Sequence, residues 1–310
     1  MTNPKVSILI PAFNKPLLFK KALESALQQT YDPIEIIICD DSTNYDTHDV
    51  VQPYLKKYSH IRYFKNGVNL GQFLNDLKLL ELSTGEYINY LMDDDLFHPQ
   101  KIEKMMRYFT HYQHQTITLV TSHRLTVNIE GEVIPNNDPS FTKLYEYDSI
   151  VEGAQFADFM LKIGNCIGEP TTVLFKKEDL KDPFGVYANR PYGCNVDMAT
   201  WMSLLEKGKL VYIAEPLSYY RSHEGQQSKD LKMIIYGAVD LGHMVSEAYN
   251  RGLLQQANVR SKAIARSLVY IDFAMNTIQK NSTSKVYKRE ITELLYYKRV
   301  LENVVLSSPQ

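Results

Sequence analysis

Three consecutive carboxylates, Asp93, Asp94 and Asp95, close an apolar run over residues 87–92. Side by side they repel one another, and burying them without a cation is costly. A divalent ion that prefers oxygen, Mg2+ or Mn2+, resolves that cost, and such ions commonly share their carboxylates with substrate phosphates. A solvated acidic turn is the competing reading. Against it stands a second acidic pair, Asp40 and Asp41, which ends another apolar run at residues 36–39. A carboxylate at Asp41 can accept the N3–H of uracil or thymine, a donor cytosine lacks. Capping of the following segment explains Asp41 equally well.

Two such clusters act together only if the fold brings them to one crevice. Residues 6–10 form a short buried strand closed by Pro11, and Phe19, Leu23, Ala26 and Leu27 follow at helical spacing. Strands are expected again near 34–39, 61–64, 87–92 and 117–120, with helical stretches between them. This alternation predicts an α/β fold, a mostly parallel sheet flanked by helices. Ligands then collect at the carboxyl ends of the strands, where both acidic clusters stand. From about 121 to 220 the pattern loosens into turns, a helix near 154–162 and strands near 172–175 and 210–213. Beyond residue 228 three helical segments, 231–249, 257–279 and 285–306, predict a helical appendage.

The segments Val6-Ser7-Ile8-Leu9-Ile10-Pro11-Ala12-Phe13-Asn14-Lys15, Glu35-Ile36-Ile37-Ile38-Cys39-Asp40-Asp41-Ser42, Asn69-Leu70-Gly71 and residues 85–95 resemble, in order and spacing, the family 2 glycosyltransferases. The resemblance runs from about Lys5 to Ser228. It implies the GT-A fold, a nucleotide-sugar donor, a Mn2+ or Mg2+ ion and inversion at the anomeric carbon. By that match Pro11, Ala12, Phe13, Asn14 and Asp41 hold the nucleoside, with Gly71 and Asn75 near it. Asp93 touches ribose or metal, and Asp94 and Asp95 are metal candidates. Many members read Asp-x-Asp-Asp here; Met92 stands where the first Asp can fall, so the division of labour is open by one position.

The stretch Asn195-Val196-Asp197 resembles the family's later acidic motif, which makes Asp197 the general base. An attacking hydroxyl must lose its proton as the new bond forms, and a carboxylate opposite the leaving diphosphate can take it. Val196 replaces the Glu many members carry, and an N-cap is the alternative role for Asp197. Residues 220–228 resemble the family's Arg-x-His segment, implying Arg221 at the diphosphate and His223 at the metal or a phosphate oxygen. Glu169 and Trp201 are expected on the acceptor side, although loop polarity and core packing explain them as simply.

The expected organisation is a catalytic domain over 1–228, with a donor half to about 120 and an acceptor half from about 121, then the appendage over 229–310. The net charge of −2 gives no global field for nucleic acid. Three scattered cysteines fit a reducing cytoplasm, and no stretch reaches the ~20 apolar residues of a membrane span. The expected location is therefore cytoplasmic, with room for peripheral contact at the inner face of the membrane. Self-association through the C-terminal helices is a further expectation. The expected partners are a UDP-sugar, ahead of a dTDP-sugar, and a hydroxyl acceptor in surface polysaccharide, glycolipid or glycoprotein assembly. Sugar nucleotidyltransferases also join such a sheet to metal-binding carboxylates, but they need a Gly-rich loop after the first strand, where this chain reads Pro11-Ala12-Phe13-Asn14. A receiver-like signalling domain or a non-catalytic nucleotide-binding module leaves the Asp93 cluster or Asp197 without a task.

Overall fold

The computed structural model describes residues 3–223 and 230–306. The expected 228/229 boundary and residues 224–228 of the Arg-x-His segment lie outside them. Strand β1 (Val6–Ala12) is buried along its whole length. It is followed by α1 (Pro16–Leu27), β2 (Ile34–Asp40), α2 (Asp46–Lys57), β3 (Ile61–Lys65), α3 (Gln72–Leu82) and β4 (Tyr87–Tyr90). These four strands are parallel in the order β3-β2-β1-β4. Strands covered on both faces must be apolar at nearly every position, which is why β1 and β2 read as almost unbroken runs. Successive side chains divide between two cores. Val6, Ile8, Ile10, Ile36 and Ile38 pack with α1 and α2, whereas Leu9, Ile37 and Cys39 enter the core on the opposite face. Each such fully buried side chain contributes roughly 1.5–3 kcal/mol.

The sheet is mixed, which corrects the mostly parallel expectation. After β5 (Leu96–Phe97), α4 (Lys101–His111), β6 (Ile117–Val127), β7 (Val133–Ile134), β8 (Ser149–Val151) and α5 (Gly153–Ile163) comes β9 (Leu174–Lys176). Strand β9 lies antiparallel between β4 and β6. A small hairpin, β10 (Val186–Tyr187) and β11 (Arg190–Pro191), precedes α6 (Val196–Leu205) and the long β12 (Lys209–Arg221). Strand β12 runs parallel to β6 and antiparallel to β5 and β8.

The last helices are α7 (Leu231–Asn250), α8 (Ala257–Lys280) and α9 (Lys288–Leu306). They share the apolar cluster that receives Leu9 and Ile37 from the sheet and Leu294 and Leu301 from α9. They are therefore an extension built into the core rather than a separate appendage. Among the described residues no helix is long and apolar enough to cross a membrane.

Candidate functional site

The carboxyl end of β1 joins the two acidic clusters. Ala12 O accepts from Asp41 N (2.8 Å), and the next peptide, Phe13 N, donates to Asp93 Oδ2 (2.8 Å). Parallel pairing of β1 with both β2 and β4 brings their ends together, so both clusters stand beside the end of β1. Asn14, at a left-handed φ of 53°, accepts from Thr43 N (3.0 Å), while its own N–H donates to Ser42 Oγ (2.9 Å). Asn14 thus braces this strand end. Phe13 is partly exposed, whereas Pro11 and Ala12 are buried.

Asp41 organises the neighbouring loop. Its Oδ1 accepts from Asn66 Nδ2 and Leu70 N, and its Oδ2 accepts from Gly71 N at 2.8 Å. Gly71 has φ 75°, a backbone that favours glycine, and this turn starts α3. Asn75 lies beneath, 2% exposed, donating to Cys39 O and accepting from Asn66. It supports the loop rather than reaching a ligand.

The three consecutive aspartates divide their directions. Asp93 and Asp94 both meet the Lys15 ammonium, with Nζ at 3.3 Å from Asp93 Oδ1 and 2.6 Å from Asp94 Oδ2. Burial pushes the Asp93 carboxyl up to about 6, against the opposing pull of Lys15. Burial would raise Asp94 too, but Lys15 and a hydrogen bond with His223 hold it below the usual carboxylate range. His223 Nε2 stands 3.0 Å from Asp94 Oδ2.

Asp95, expected as a metal candidate, turns inward instead. Its Oδ2 accepts from Thr171 Oγ1 (2.6 Å) and its Oδ1 from Arg221 N (3.1 Å). Consecutive side chains on one turn cannot all face the same ligand, and Asp95 is the one that closes the joint with β12. Burial, then Asp94 and Glu169, push its carboxyl well up.

Arg221, expected at the diphosphate, is also redirected. Its guanidinium donates to the carbonyls of Asp94, Asn128 and Ile129, and the side chain is fully buried. Paired to its end with β6, β12 carries Arg221 under the Asp93–Asp95 turn, where it braces the Asp94 peptide. Trp201, expected at the acceptor, is wholly buried among Phe175 and Phe184, with Nε1–H donating to Gly168 O (3.0 Å). It faces the core because that is the face α6 turns to the sheet.

Asp197 stands at the start of α6. Its Oδ2 accepts from Asn165 Nδ2 (2.6 Å), and its Oδ1 accepts from Met198 N (2.7 Å). Burial pushes its carboxyl up to about 6, with the Met198 N–H opposing and Glu169 adding to the rise. Glu169 pairs with Arg124, whose Nε lies 3.1 Å from Glu169 Oε2. The Glu169 charge adds to the rise of both the Asp95 and the Asp197 carboxyls.

Lys15, Arg124, Asn165 and Asp240 escaped the sequence reading. Lys15 stood inside the first motif, but no acid lies nearer to it in the sequence than Glu24, so its place in that motif was the one signal it offered. The other three are joined to the site only by folding. Asp240 of α7 accepts at Oδ2 from the N–H groups of Gly193, Cys194 and Asn195 (3.1, 2.8 and 3.1 Å), the loop leading to Asp197.

A mixed sheet flanked by helices, with the carboxylates that end β2 and β4 gathered about the end of β1, matches the GT-A fold. The family model "Glycosyl transferase family 2" matches residues 7–160, about half of the chain, which is similar to that family there. The chain is 29% identical to the Escherichia coli UDP-Glc:alpha-D-GlcNAc-diphosphoundecaprenol beta-1,3-glucosyltransferase WfaP, over 72% of this chain and 79% of that protein. Among solved structures, S. aureus TarS 1-349 in complex with UDP-GlcNAc superposes with a TM-score of 0.59 at 15% identity, covering 97% of this chain and 91% of that one. Mannosyltransferase PcManGT from Pyrobaculum calidifontis, in complex with GDP-Man and Mn2+, gives 0.54 at 14% identity, covering 100% and 89%. Matches to the first curated relatives span about a third of those proteins' length.

Proposed function

We propose that the chain is an inverting glycosyltransferase that moves a sugar from a UDP-sugar to an acceptor hydroxyl, with Asp197 as general base. The observation that carries this reading is the gathering of Asp41, Asp93 and Asp94 about the end of β1, joined by hydrogen bonds through Ala12 and Phe13, with His223 of the β12 end on Asp94. The acceptor oxygen attacks the anomeric carbon as the bond to the diphosphate breaks. The electron pair leaves with the nucleotide, and the hydroxyl proton passes to Asp197. A carboxyl near 6 is ionised at neutral pH yet basic enough to take that proton. The UDP preference rests on Asp41, whose Oδ2 accepts one N–H from Gly71 and has a second lone pair for a uracil N3–H. It also accords with the UDP-sugars bound or used by TarS and WfaP.

Among the described residues no group of three His, Cys, Asp or Glu side chains forms a ready metal cluster. The donor chemistry nevertheless fits a hard divalent cation. Asp94 Oδ2 meets both His223 and the Lys15 ammonium, which also lies 3.3 Å from Asp93, and Mg2+-type sites take their remaining oxygens from phosphate and water. Asp94 and His223 would hold the ion, with Asp93 beside it. When bound, it neutralises charge on the departing diphosphate. Of the named acceptor residues Glu169 stays in the reading, its carboxylate oriented by Arg124.

The acceptor is placed in the class that WfaP uses, a diphosphopolyprenyl-linked sugar, which suits a cytoplasmic enzyme of surface polysaccharide assembly. The residues that meet donor and acceptor are taken to lie within 1–228, with Asp240 of α7 supporting them from outside that range. The test is UDP release from a panel of nucleotide sugars with and without Mn2+. Asp94→Ala should abolish the metal-dependent release, and Asp197→Ala should retain donor binding while losing transfer. Normal turnover by Asp197→Ala would show that the base has been misassigned.

A further inference from the structure

Charge is divided unevenly along the chain. Residues 251–310 hold ten Lys and Arg against four Asp and Glu, so the preceding 250 hold twenty-four against thirty-two. The same segment exposes large apolar side chains: Val269 (65%), Phe273 (56%), Tyr296 (60%) and Leu306 (83%). On α8 the two features share one face. Lys262, Arg266, Val269, Phe273 and Lys280 recur at spacings of three, four and seven, opposite the buried Ala263, Ile264, Ser267, Ile271, Ala274 and Ile278. Lys262, Lys280, Lys285, Lys288 and Arg299 form no ion pair with a described residue.

We propose that this outer face of α8, continued by exposed residues of α9, docks on an anionic lipid surface. A helix with cationic ends and an apolar centre suits that occupant: the ammonium and guanidinium groups meet lipid phosphates while Val269 and Phe273 enter the acyl boundary. A second copy of the chain fits less well, because a symmetric contact would set this positive surface against itself.

The test is co-sedimentation of the full chain with vesicles of phosphatidylcholine alone and of phosphatidylcholine mixed with phosphatidylglycerol. Binding is expected only to the mixed vesicles and should weaken as salt rises. The variant Lys262→Gln/Lys280→Gln/Arg299→Gln should lose more than about tenfold in partitioning, since each cation near such a surface contributes about fivefold. Val269→Ser/Phe273→Ser should also release the protein while leaving UDP release from the donor intact. Equal binding to both vesicle types, unchanged partitioning of either variant, or a stable dimer that Phe273→Ser dissociates would each overturn the proposal.

Discussion

Removing the Asn165 side chain tests the assignment of the base without touching the base. Asn165 Nδ2 donates to Asp197 Oδ2 at 2.6 Å, and its Oδ1 accepts from Gly168 N at 3.1 Å, which fixes the amide's orientation. A donor aimed at a carboxylate favours the charged form, and hydrogen bonds to charged groups are worth about 1.5–3 kcal/mol. Part of that survives when the carboxyl is protonated, so a differential of about 1.4 kcal/mol is reasonable, equal to about one pK unit. The Asp197 carboxyl lies near 6. In Asn165→Ala it should therefore rise to about 7. Because the base works ionised, the acid limb of the rate profile moves to higher pH, and at about pH 6.5 the active fraction falls from about three quarters to one quarter. Above about pH 8.5 the two enzymes should converge. The assay is UDP release across a pH series with the best donor from the panel, and Asp197→Asn should abolish the limb. A limb that stays in place, or a loss of equal size at every pH, would refute the reasoning.

Other consequences are more direct. Lys15→Met leaves Asp93 and Asp94 facing each other without their cation, so the metal-free protein should lose about 1–2 kcal/mol, recovered on adding Mn2+ in a thermal-unfolding series. Asp240→Ala orphans three N–H groups on the loop before Asp197, so kcat should fall about tenfold with the donor KM little changed, as steady-state kinetics would show. At Gly85 an added Cβ would lie 2.5 Å from Ser7 Oγ and 2.6 Å from Ser7 N, so Gly85→Ala should cost roughly 1–3 kcal/mol, read from denaturant midpoints.

The parts of the fold legible in the sequence were those set by local burial. The strands β1, β2 and β4 are apolar apart from the buried Ser7, Glu35 and Asn89, and acids stand where β2 and β4 leave the core. A strand was expected near 172–175, but the antiparallel direction of β9 was not legible, because three residues carry no record of direction. Strands β6 and β12 are longer than the apolar runs that announced them; beyond residues 120 and 213 they include polar positions such as Ser122, Arg124 and Ser218, buried only through tertiary partners. At the site, residue type was readable but orientation was not. Asp93, Asp94 and Asp95 look equivalent in sequence, yet the backbone gives two of them to Lys15 and the third to Thr171. Arg221 and Trp201 have the chemistry for a ligand and the wrong direction for one.

The base is held from two sides, and this bears on what the C-terminal helices do. Asn165, just beyond α5, fixes the Asp197 carboxylate, while Asp240 of α7 gathers the peptides of residues 193–195 that set where α6 begins. Asn195 Nδ2 donates to Gly237 O (3.0 Å), tying the same loop to α7 a second time. Below this contact, α7, α8 and α9 share one apolar cluster with β1 and β2, so loosening the helices exposes the sheet's own core. Deleting residues 229–310 should therefore not yield a smaller working transferase. It removes the partner of three N–H groups at the base and uncovers the apolar face of α5 that α8 packs on, making an aggregating product the expected outcome of expressing 1–228 alone. A soluble fragment that released UDP at the rate of the full chain would show that the loop before Asp197 holds its position without α7.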